Sequence, residues 1–314
     1  MSVVELRRAY GQALLELGSR DERVVVLDAD VSECTGTDLF EKKYPERFYQ
    51  LGIAEQNMIG VAAGFATCGF IPFANSFASF ATKRPHDQIS ISVAYPRVNV
   101  KIVGSYAGLS SSNTGATHQS IDDISTMRAI PNMVVVAPGD PEEVRQATLA
   151  VHAYDGPVYM RLIKSPAVPN FIEKGYRFEI GKAVVLRAGK HITLVGTGMM
   201  SLICLEAAAI LDKEGIQATV LHQPTIKPLD QQKLLEAAKS TGVVITVEDH
   251  SIIGGLGSAV CEALSENYPC LVKRIGIMDQ FTESALEVED LFKKYGLIKE
   301  NIAEVAARVL KSRL

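Results

Sequence analysis

Short runs rich in Val, Ile and Leu alternate with helical patterns along the whole chain, and this order restricts the fold more than any other feature. Eight such runs are predicted to be strands: RVVVLDAD, RVNVKIVG, MVVVAPG, VYMRLI, HITLVGTG, ATVLHQ, VVITVE and LVKRIGI. Because they are apolar nearly throughout, they are typical of parallel strands covered by helices on both faces. Helical patterns between them include Pro141–His152, with Asp140 as the predicted N-cap, and Met199–Lys213. The sequence therefore predicts an α/β protein.

The α/β pattern is predicted to form two open α/β sandwich domains. Periodicity is lost between Pro166 and Lys182, where prolines and glycine interrupt the pattern and charge rises. We assign residues 1–168 to a first domain, 169–186 to a linker and 187–314 to a second domain.

Composition excludes several classes of partner. With 314 residues, 47% of them hydrophobic, the chain is long enough to bury a substantial core. A net charge of -4 gives no basic field for nucleic acid or an anionic membrane. The five cysteines are odd in number and show no C-x-x-C, which predicts reduced, buried thiols and a cytoplasmic protein. No apolar run reaches the roughly 18 residues of a membrane span, and the N-terminus is unlike a signal peptide, so we expect a soluble, unprocessed chain.

An acid begins an otherwise apolar, small-residue helix. Glu55 lies in LGIAEQNMIGVAAGFATCGF. An ionised carboxylate is costly to bury without compensation, so this residue needs a partner, and none is evident in the flanking sequence. Two glycines and two alanines, each pair four residues apart, leave faces that another helix can approach closely: Gly60, Gly64, Ala62 and Ala66. That helix belongs either to this chain or to a second subunit.

Three further segments carry motifs that are read together with Glu55. The run IPFANSFASFATKRPHDQIS places Phe73, Phe77 and Phe80 at helical spacing, which on its own predicts core aromatics. The run GATHQSIDD contains T-H-Q at 117–119, and VEDHSIIGGLGSAV spans Val247–Val260. In this order the motifs resemble thiamine diphosphate enzymes of the transketolase and deoxyxylulose-phosphate synthase group, over essentially the whole chain. The resemblance implies a pyrimidine-type domain followed by a transketolase C-terminal-like domain.

The resemblance assigns a cofactor site on the first domain. Glu55 is expected to hydrogen-bond N1' of the aminopyrimidine ring of thiamine diphosphate, which promotes loss of the thiazolium C2 proton. Phe77 and Phe80 match aromatic residues that flank or stack on that ring. Asp30, in the strand-end run LDADVSE, matches an acid near the cofactor, although an N-cap role is an equal alternative. Ile53 is assigned to the same site.

The resemblance also assigns substrate contacts. His118 matches a residue that faces sugar hydroxyls and moves protons during cleavage and addition. Arg7 and Lys164 fall where the family places cations for a sugar phosphate, but Lys164 replaces an arginine and loses the bidentate fork. Tyr106 is a further candidate contact. Surface solvation is the alternative for both cations.

Four positions depart from the transketolase pattern. Tyr106 stands where a histidine is typical beside the donor sugar, and Thr114 where an acid contacts a hydroxyl. Lys83 replaces a common third aromatic, and Cys34 replaces a serine that helps the phosphate site. We expect the cofactor chemistry to be retained and the usual sugar preference to differ.

One family motif is absent from this sequence. Family members bind the diphosphate and Mg2+ through a domain with a G-D-G motif and a later Asn, whereas the nearest match here is Pro138-Gly139-Asp140-Pro141. We therefore expect no metal ligands on this chain. The sequence resembles the C-terminal subunit of a split transketolase, whose N-terminal partner would supply the diphosphate domain within a heterotetramer that acts on sugar phosphates.

Three alternatives remain open on the sequence. The first is the β-subunit of a 2-oxo acid dehydrogenase E1 component, and the second is a deoxyxylulose-phosphate synthase without its first half. The third, of a different class, is a non-catalytic binding or regulatory subunit that retains the fold. The T-H-Q-S-I-D-D run and the predicted phosphate-site cations favour transketolase, and the presence of Glu55, Phe77 and His118 argues against a non-catalytic subunit.

Overall fold

The computed structural model describes residues 5–164, 167–173 and 175–312. The strands in these ranges are β1 Val24–Asp28, β2 Phe48–Gln50, β3 Ile71–Phe77, β4 Lys101–Ser105, β5 Val134–Val136, β6 Val158–Arg161, β7 Val184–Arg187, β8 Ile192–Gly196, β9 Ala218–His222, β10 Thr225–Lys227, β11 Val243–Ser251 and β12 Leu271–Ile277. The α-helices are α1 Leu6–Arg20, α2 Ser32–Thr35, α3 Asp38–Lys43, α4 Glu55–Thr67, α5 Ala78–Lys83, α6 His86–Gln88, α7 Asp123–Ala129, α8 Pro141–Ala153, α9 Met200–Lys213, α10 Gln231–Thr241, α11 Leu256–Asn267, α12 Val288–Lys294 and α13 Lys299–Lys311.

Two mixed sheets organise the described chain. The first has the strand order β10-β5-β6-β4-β3-β1-β2, and the second has the order β12-β11-β8-β9-β7. All pairs are parallel except β10 with β5 and β7 with β9. The predicted α/β class with two sandwich domains is therefore confirmed.

Helices cover both faces of the first sheet, as the continuous apolar strands require. Val24 and Val26 of β1 belong to the core that contains Leu14 of α1, whereas Val25 and Leu27 belong to a separate core that contains Met58 and Ile59 of α4. Successive side chains of a strand point to opposite faces, so one strand serves both layers. This packing fixes α4, and with it Glu55, against the sheet.

All eight predicted strands are present, but four others were missed. One of these, β3, contains two of the three phenylalanines assigned to a helical pattern. Phe73 lies inside β3 and is fully buried, Phe77 ends that strand, and only Phe80 lies in a helix, α5. The three rings do not lie on one helix, because the spacing runs across the end of β3 and into α5.

The segment assigned as a linker packs on the first domain. Asp140 caps α8 as predicted, since its side chain accepts a hydrogen bond from Glu143 N. It also accepts hydrogen bonds from the backbone N–H groups of Phe171 and Ile172 at 3.1 and 3.0 Å. Pro166, the proposed start of the boundary, lies outside the described residues. The domain limits stay a prediction, and β10, from the second predicted domain, forms an edge strand of the first sheet.

The described cysteines form no disulfide, as predicted, but burial was predicted too broadly. Cys204 is buried, Cys68 is exposed, and the other three are intermediate. Within the described chain, no helix has both the length and the apolar character needed to cross a bilayer.

The glycine-rich turn before α11 holds a carboxylate of this chain. Glu248 of β11 is fully buried, and its oxygens accept hydrogen bonds from the backbone N–H groups of Leu256 and Gly257 at 2.7 and 2.8 Å. Burial raises the pKa of Glu248 to about 7, although the two N–H groups favour the anion. The N–H groups of these two residues at the start of α11 are thus bonded to a side chain of this chain.

The raised pKa of Glu248 is expected to make the stability of the fold depend on pH. Because its folded-state pKa is raised above the ordinary value of 4.5, the folded state binds the proton more tightly, and the free energy of unfolding should fall as pH rises from 4.5 to about 7. Urea denaturation of wild type and Glu248→Gln across this range should give a flatter dependence for the variant. Exposed Glu46→Gln is the control. Equal slopes for wild type and Glu248→Gln would contradict this prediction.

Candidate active site

Neighbouring strands of the first sheet deliver several predicted site residues to one edge. β1 leads to Asp30, β3 ends at Phe77, β4 leads to Tyr106, and β6 leads to Lys164. Ligands of open α/β sheets bind in the crevice outside the carboxyl ends of the strands. The topology thus places residues that are distant in sequence around one crevice.

Glu55 is the first residue of α4, and its side chain is 3% exposed. The chain reaches the helix through Gly52, whose φ of 67° lies in the left-handed region that favours glycine. Helix N-termini favour negative charge because the backbone dipoles align there. The carboxylate lines a surface cavity of about 630 Å³ together with Ile53, Gln56, Asn57, Ala54 and Arg84.

The partners of Glu55, which the flanking sequence does not reveal, come from elsewhere in this chain. Arg84 Nη1 donates hydrogen bonds to Glu55 Oε1 at 2.8 Å and to Oε2 at 2.9 Å, and Ser76 Oγ donates to Oε1 at 3.3 Å. Both partners are distant in sequence and reach the acid only when β3 and α5 pack beside α4. The buried carboxylate is therefore compensated within the fold.

Aromatic rings form one wall of the crevice. Phe77 stacks on Tyr106, with ring centroids 4.4 Å apart and an interplanar angle of 22°. The centroids of Phe77 and Phe80 lie 6.0 Å apart. The guanidinium carbon of Arg84 lies 3.8 Å from the centroid of Phe80. The structure therefore brings Glu55 and both predicted aromatic residues to one place.

His118 joins the same wall. Its ring contacts Phe80 edge-on, with centroids 5.1 Å apart, and Phe77 at 6.0 Å. Thr117 Oγ1 lies 2.9 Å from His118 Nδ1, and Ser79 Oγ donates a hydrogen bond to the backbone oxygen of His118 at 3.0 Å. The imidazole is half-buried and oriented by these contacts.

The predicted substrate cations meet at Tyr106. Lys164 Nζ lies 5.0 Å from the Tyr106 ring centroid. The tyrosine is buried, which raises its pKa, and a hydrogen bond to Cys34 adds to the rise, while the charge of Arg7 opposes it. Arg7 donates to the backbone oxygens of Glu33 and Cys34 at 3.0 and 3.5 Å. Arg7, Cys34, Tyr106 and Lys164 thus form one polar cluster beside Phe77.

Asp30 and Ile53 lie at the outer edge of the site. Asp30 is exposed and has a φ of 63°, and its backbone N–H donates to Gln50 Oε1 at 2.7 Å. It is not an N-cap, because Val31 precedes α2. Ile53 is 72% exposed at the cavity beside Glu55. A cofactor contact by Asp30 therefore stays a prediction.

The remaining two departures from the family pattern have partners within the chain. Lys83 Nζ forms an ion pair with Asp122 at 2.9 Å. Thr114 Oγ1 donates to the backbone oxygen of Ser111 at 2.8 Å and contacts the hydroxyl of Ser111. Both side chains are thereby tied to the loop that carries His118.

A buried polar network behind the crevice was not predicted from the sequence. Arg161, at the end of β6, donates to Asp123 Oδ2 at 2.9 Å and to the backbone oxygen of Asp249 at 2.6 Å. Tyr159 OH donates to Asp123 Oδ2 at 2.7 Å, and the Asp249 carboxylate accepts from Leu109 N at 3.0 Å. Burial raises the pKa of Asp249 to about 6. This network ties β11 of the second sheet to loops at the crevice.

Arg84 and Ser76 were also missed. The available signal was the spacing of Phe80 and Arg84, four residues apart, which places an arginine and an aromatic ring on one helical face.

The described residues contain no cluster of three or more His, Cys, Asp or Glu side chains that could hold a metal ion.

The fold and the crevice define an α/β chain with a buried acid facing an aromatic wall at the carboxyl ends of parallel strands. Two family models match this chain: the transketolase pyrimidine-binding domain over residues 2–167 and the transketolase C-terminal domain over residues 181–302. The chain belongs to the transketolase family.

Similar proteins include separate subunits and longer chains. The 6-deoxy-6-sulfo-D-fructose transketolase subunit SqwH of Clostridium sp. (strain MSTE9) is 44% identical, over 98% of this chain and 95% of that protein. A solved structure described as a split-gene transketolase, inactive beta4 tetramer, is 45% identical, covers 98% of this chain and 99% of that chain, and has a TM-score of 0.91. The 1-deoxy-D-xylulose-5-phosphate synthase of Desulfitobacterium hafniense (strain DCB-2) is 36% identical over 96% of this chain but only 48% of that protein.

Proposed function

We propose that this chain is the C-terminal subunit of a split transketolase, in which it supplies the pyrimidine half of a thiamine diphosphate site. The observation that carries this proposal is that Glu55 and Phe80 already hold a flat cation, the guanidinium of Arg84, between a buried carboxylate and a ring face. An aminopyrimidine ring needs the same two contacts. Similarity over nearly full length to separate transketolase subunits supports the assignment.

The residues of the crevice fit this cofactor. Glu55 would hold a proton at N1', Phe77 and Phe80 would contact the ring, and Ile53 and Asp30 would lie at its margin. Thiamine diphosphate supplies the electron sink for carbon–carbon cleavage when bound. A partner subunit would hold the diphosphate and its Mg2+, for which oxygen ligands are suited.

The substrate side follows from the polar cluster. We assign His118 to proton exchange with sugar hydroxyls, because Thr117 and Phe80 orient its ring. Arg7 and Lys164 would bind the anionic end of the sugar, and Tyr106 would line the path beside Phe77. The reaction is transfer of a two-carbon ketol unit from a ketose or ketose phosphate donor to an aldose or aldose phosphate acceptor.

The exposed face of α4 suits the partner subunit in the proposed heterotetramer. Gly60 and Gly64 are exposed, and a Cβ atom added at either position would meet nothing within 4 Å in the described chain. Ala62, by contrast, is buried in the core. The glycine stripe is therefore the part of the small-residue helix that another backbone can approach.

Reconstitution tests the proposed function. We expect no ketol transfer by the isolated chain and full turnover after addition of a subunit that bears the diphosphate domain, because each chain holds half of the cofactor. The assay measures transfer from a ketose phosphate to an aldose phosphate with thiamine diphosphate and Mg2+. Turnover by the isolated chain would contradict the split site.

Deoxyxylulose-phosphate synthase chemistry is the second candidate, supported by the 36% identity to that enzyme. The same reconstituted pair, supplied with pyruvate and an aldose phosphate, would then release carbon dioxide and form a deoxyketose phosphate. Decarboxylation of a 2-oxo acid with lipoamide as the electron acceptor, and without an aldose phosphate, would instead indicate an E1-type dehydrogenase.

A further inference from the structure

Arg84 makes two contacts that the proposed cofactor also needs. Its Nη1 lies within hydrogen-bond distance of both Glu55 oxygens, at 2.8 and 2.9 Å. Its guanidinium carbon lies 3.8 Å from the Phe80 centroid, which is a stacking distance. A guanidinium is planar, delocalised and cationic, and it stacks on aromatic faces while it pairs with carboxylates.

We infer that Arg84 is a built-in competitor of the aminopyrimidine ring, and that it must leave Glu55 and Phe80 before the ring can bind. This inference rests on the proposed function. The same carboxylate oxygens and the same ring face cannot serve both groups at once. Arg84 is thus a further residue of the cofactor site, one that keeps the site closed until the ring displaces it.

The surroundings of Arg84 allow this displacement. Its side chain is 43% exposed, whereas the Glu55 side chain is 3% exposed, so the arginine covers the acid from the solvent side. Arg84 follows α5 directly as its C-cap, and a change of its side-chain rotamer requires no change in the backbone. Exposed side chains change rotamer within nanoseconds. The acid is the buried member of the pair, and the arginine is the one that can turn out into solvent.

This arrangement also explains how a separate subunit can carry half of a cofactor site. A buried carboxylate without a partner is destabilising, and the Arg84 contact compensates Glu55 in the chain as folded. Displacement of Arg84 exchanges one partner of the carboxylate for another. The affinity of the site for the ring is reduced by the fraction of time that Arg84 occupies it.

Cofactor affinity tests the inference on the reconstituted pair. Arg84→Ala removes the competitor, so the dissociation constant of thiamine diphosphate with Mg2+, measured by isothermal titration calorimetry, should fall about tenfold if Arg84 covers the site nine-tenths of the time. The thermal midpoint of the isolated variant chain should fall below that of wild type, because Glu55 loses its cation. Arg84→Gln removes the guanidinium but keeps a polar side chain, and it serves if the alanine variant does not fold.

Arg23→Ala is the matched control, since Arg23 is 63% exposed and pairs with Asp21, and it should leave the dissociation constant unchanged. Unchanged or weaker cofactor binding by both Arg84 variants would overturn the inference, because Arg84 would then be a bystander or a direct cofactor ligand. Absence of thiamine diphosphate binding by wild type and every variant would overturn the proposed function itself. The two failures are therefore distinguishable.

Discussion

Replacement of Glu55 by Gln should lower kcat of the reconstituted pair by about 10²–10⁴-fold, the range for loss of a positioned acid–base group. Glutamine has nearly the same shape but cannot exchange a proton with N1'. Glu55 is buried near Phe80 and Arg84. Among the described residues that line this cavity, it is the only acid. Steady-state ketol transfer with saturating cofactor gives the measurement.

Glu46→Gln is the control for this substitution, because Glu46 is highly exposed, in a salt bridge with Arg47. It should retain full turnover. Circular dichroism and complex formation with the partner subunit establish that the Glu55 variant folds and assembles. A fully active Glu55→Gln pair would favour the non-catalytic alternative.

Replacement of Arg161 by Met should lower the free energy of unfolding by about 3–5 kcal/mol, as is typical when one partner of a buried ion pair is removed. Arg161 is 5% exposed and Asp123 is fully buried. After the substitution, the Asp123 carboxylate keeps the hydrogen bond from Tyr159 OH. The backbone oxygens of Ser120 and Asp249 lose the hydrogen bonds that Arg161 Nη2 donates to both. Urea denaturation of the full chain measures the change.

Arg187→Met is the matched control. Arg187 pairs with Asp212 at 2.5 Å, but both side chains are about one-third exposed, and surface pairs contribute about 0–1 kcal/mol. Equal effects of the two substitutions would show that the buried network does not hold the domains together. The Arg161 variant should also lose ketol transfer, because Ser120 lies in the loop that carries His118.

Part of the candidate site could be predicted because its signal is local. The start of α4 at Glu55 follows from an acid before an apolar, small-residue run, and the position of His118 follows from the T-H-Q motif. The structure places Glu55, Phe77, Phe80 and His118 together, as the resemblance implied. The role of each in catalysis stays a prediction until the variants are measured.

Other features could not be predicted because they depend on contacts between distant segments. The spacing of Phe73, Phe77 and Phe80 fits one helix equally well, and only strand pairing with β1 and β4 makes the first two part of β3. Similarly, Thr225–Lys227 carries no local signal for joining β5 of the first sheet.

The sequence by itself determined the α/β class, the family and the presence of a buried acid, because hydrophobic periodicity and short motifs record what each segment must bury. Only the tertiary structure decided what that acid contacts. Arg84 lies 29 residues after Glu55, and its approach depends on how α4, β3 and α5 pack. Charge pairing across a fold is set by three-dimensional proximity, which the order of residues along a chain does not specify.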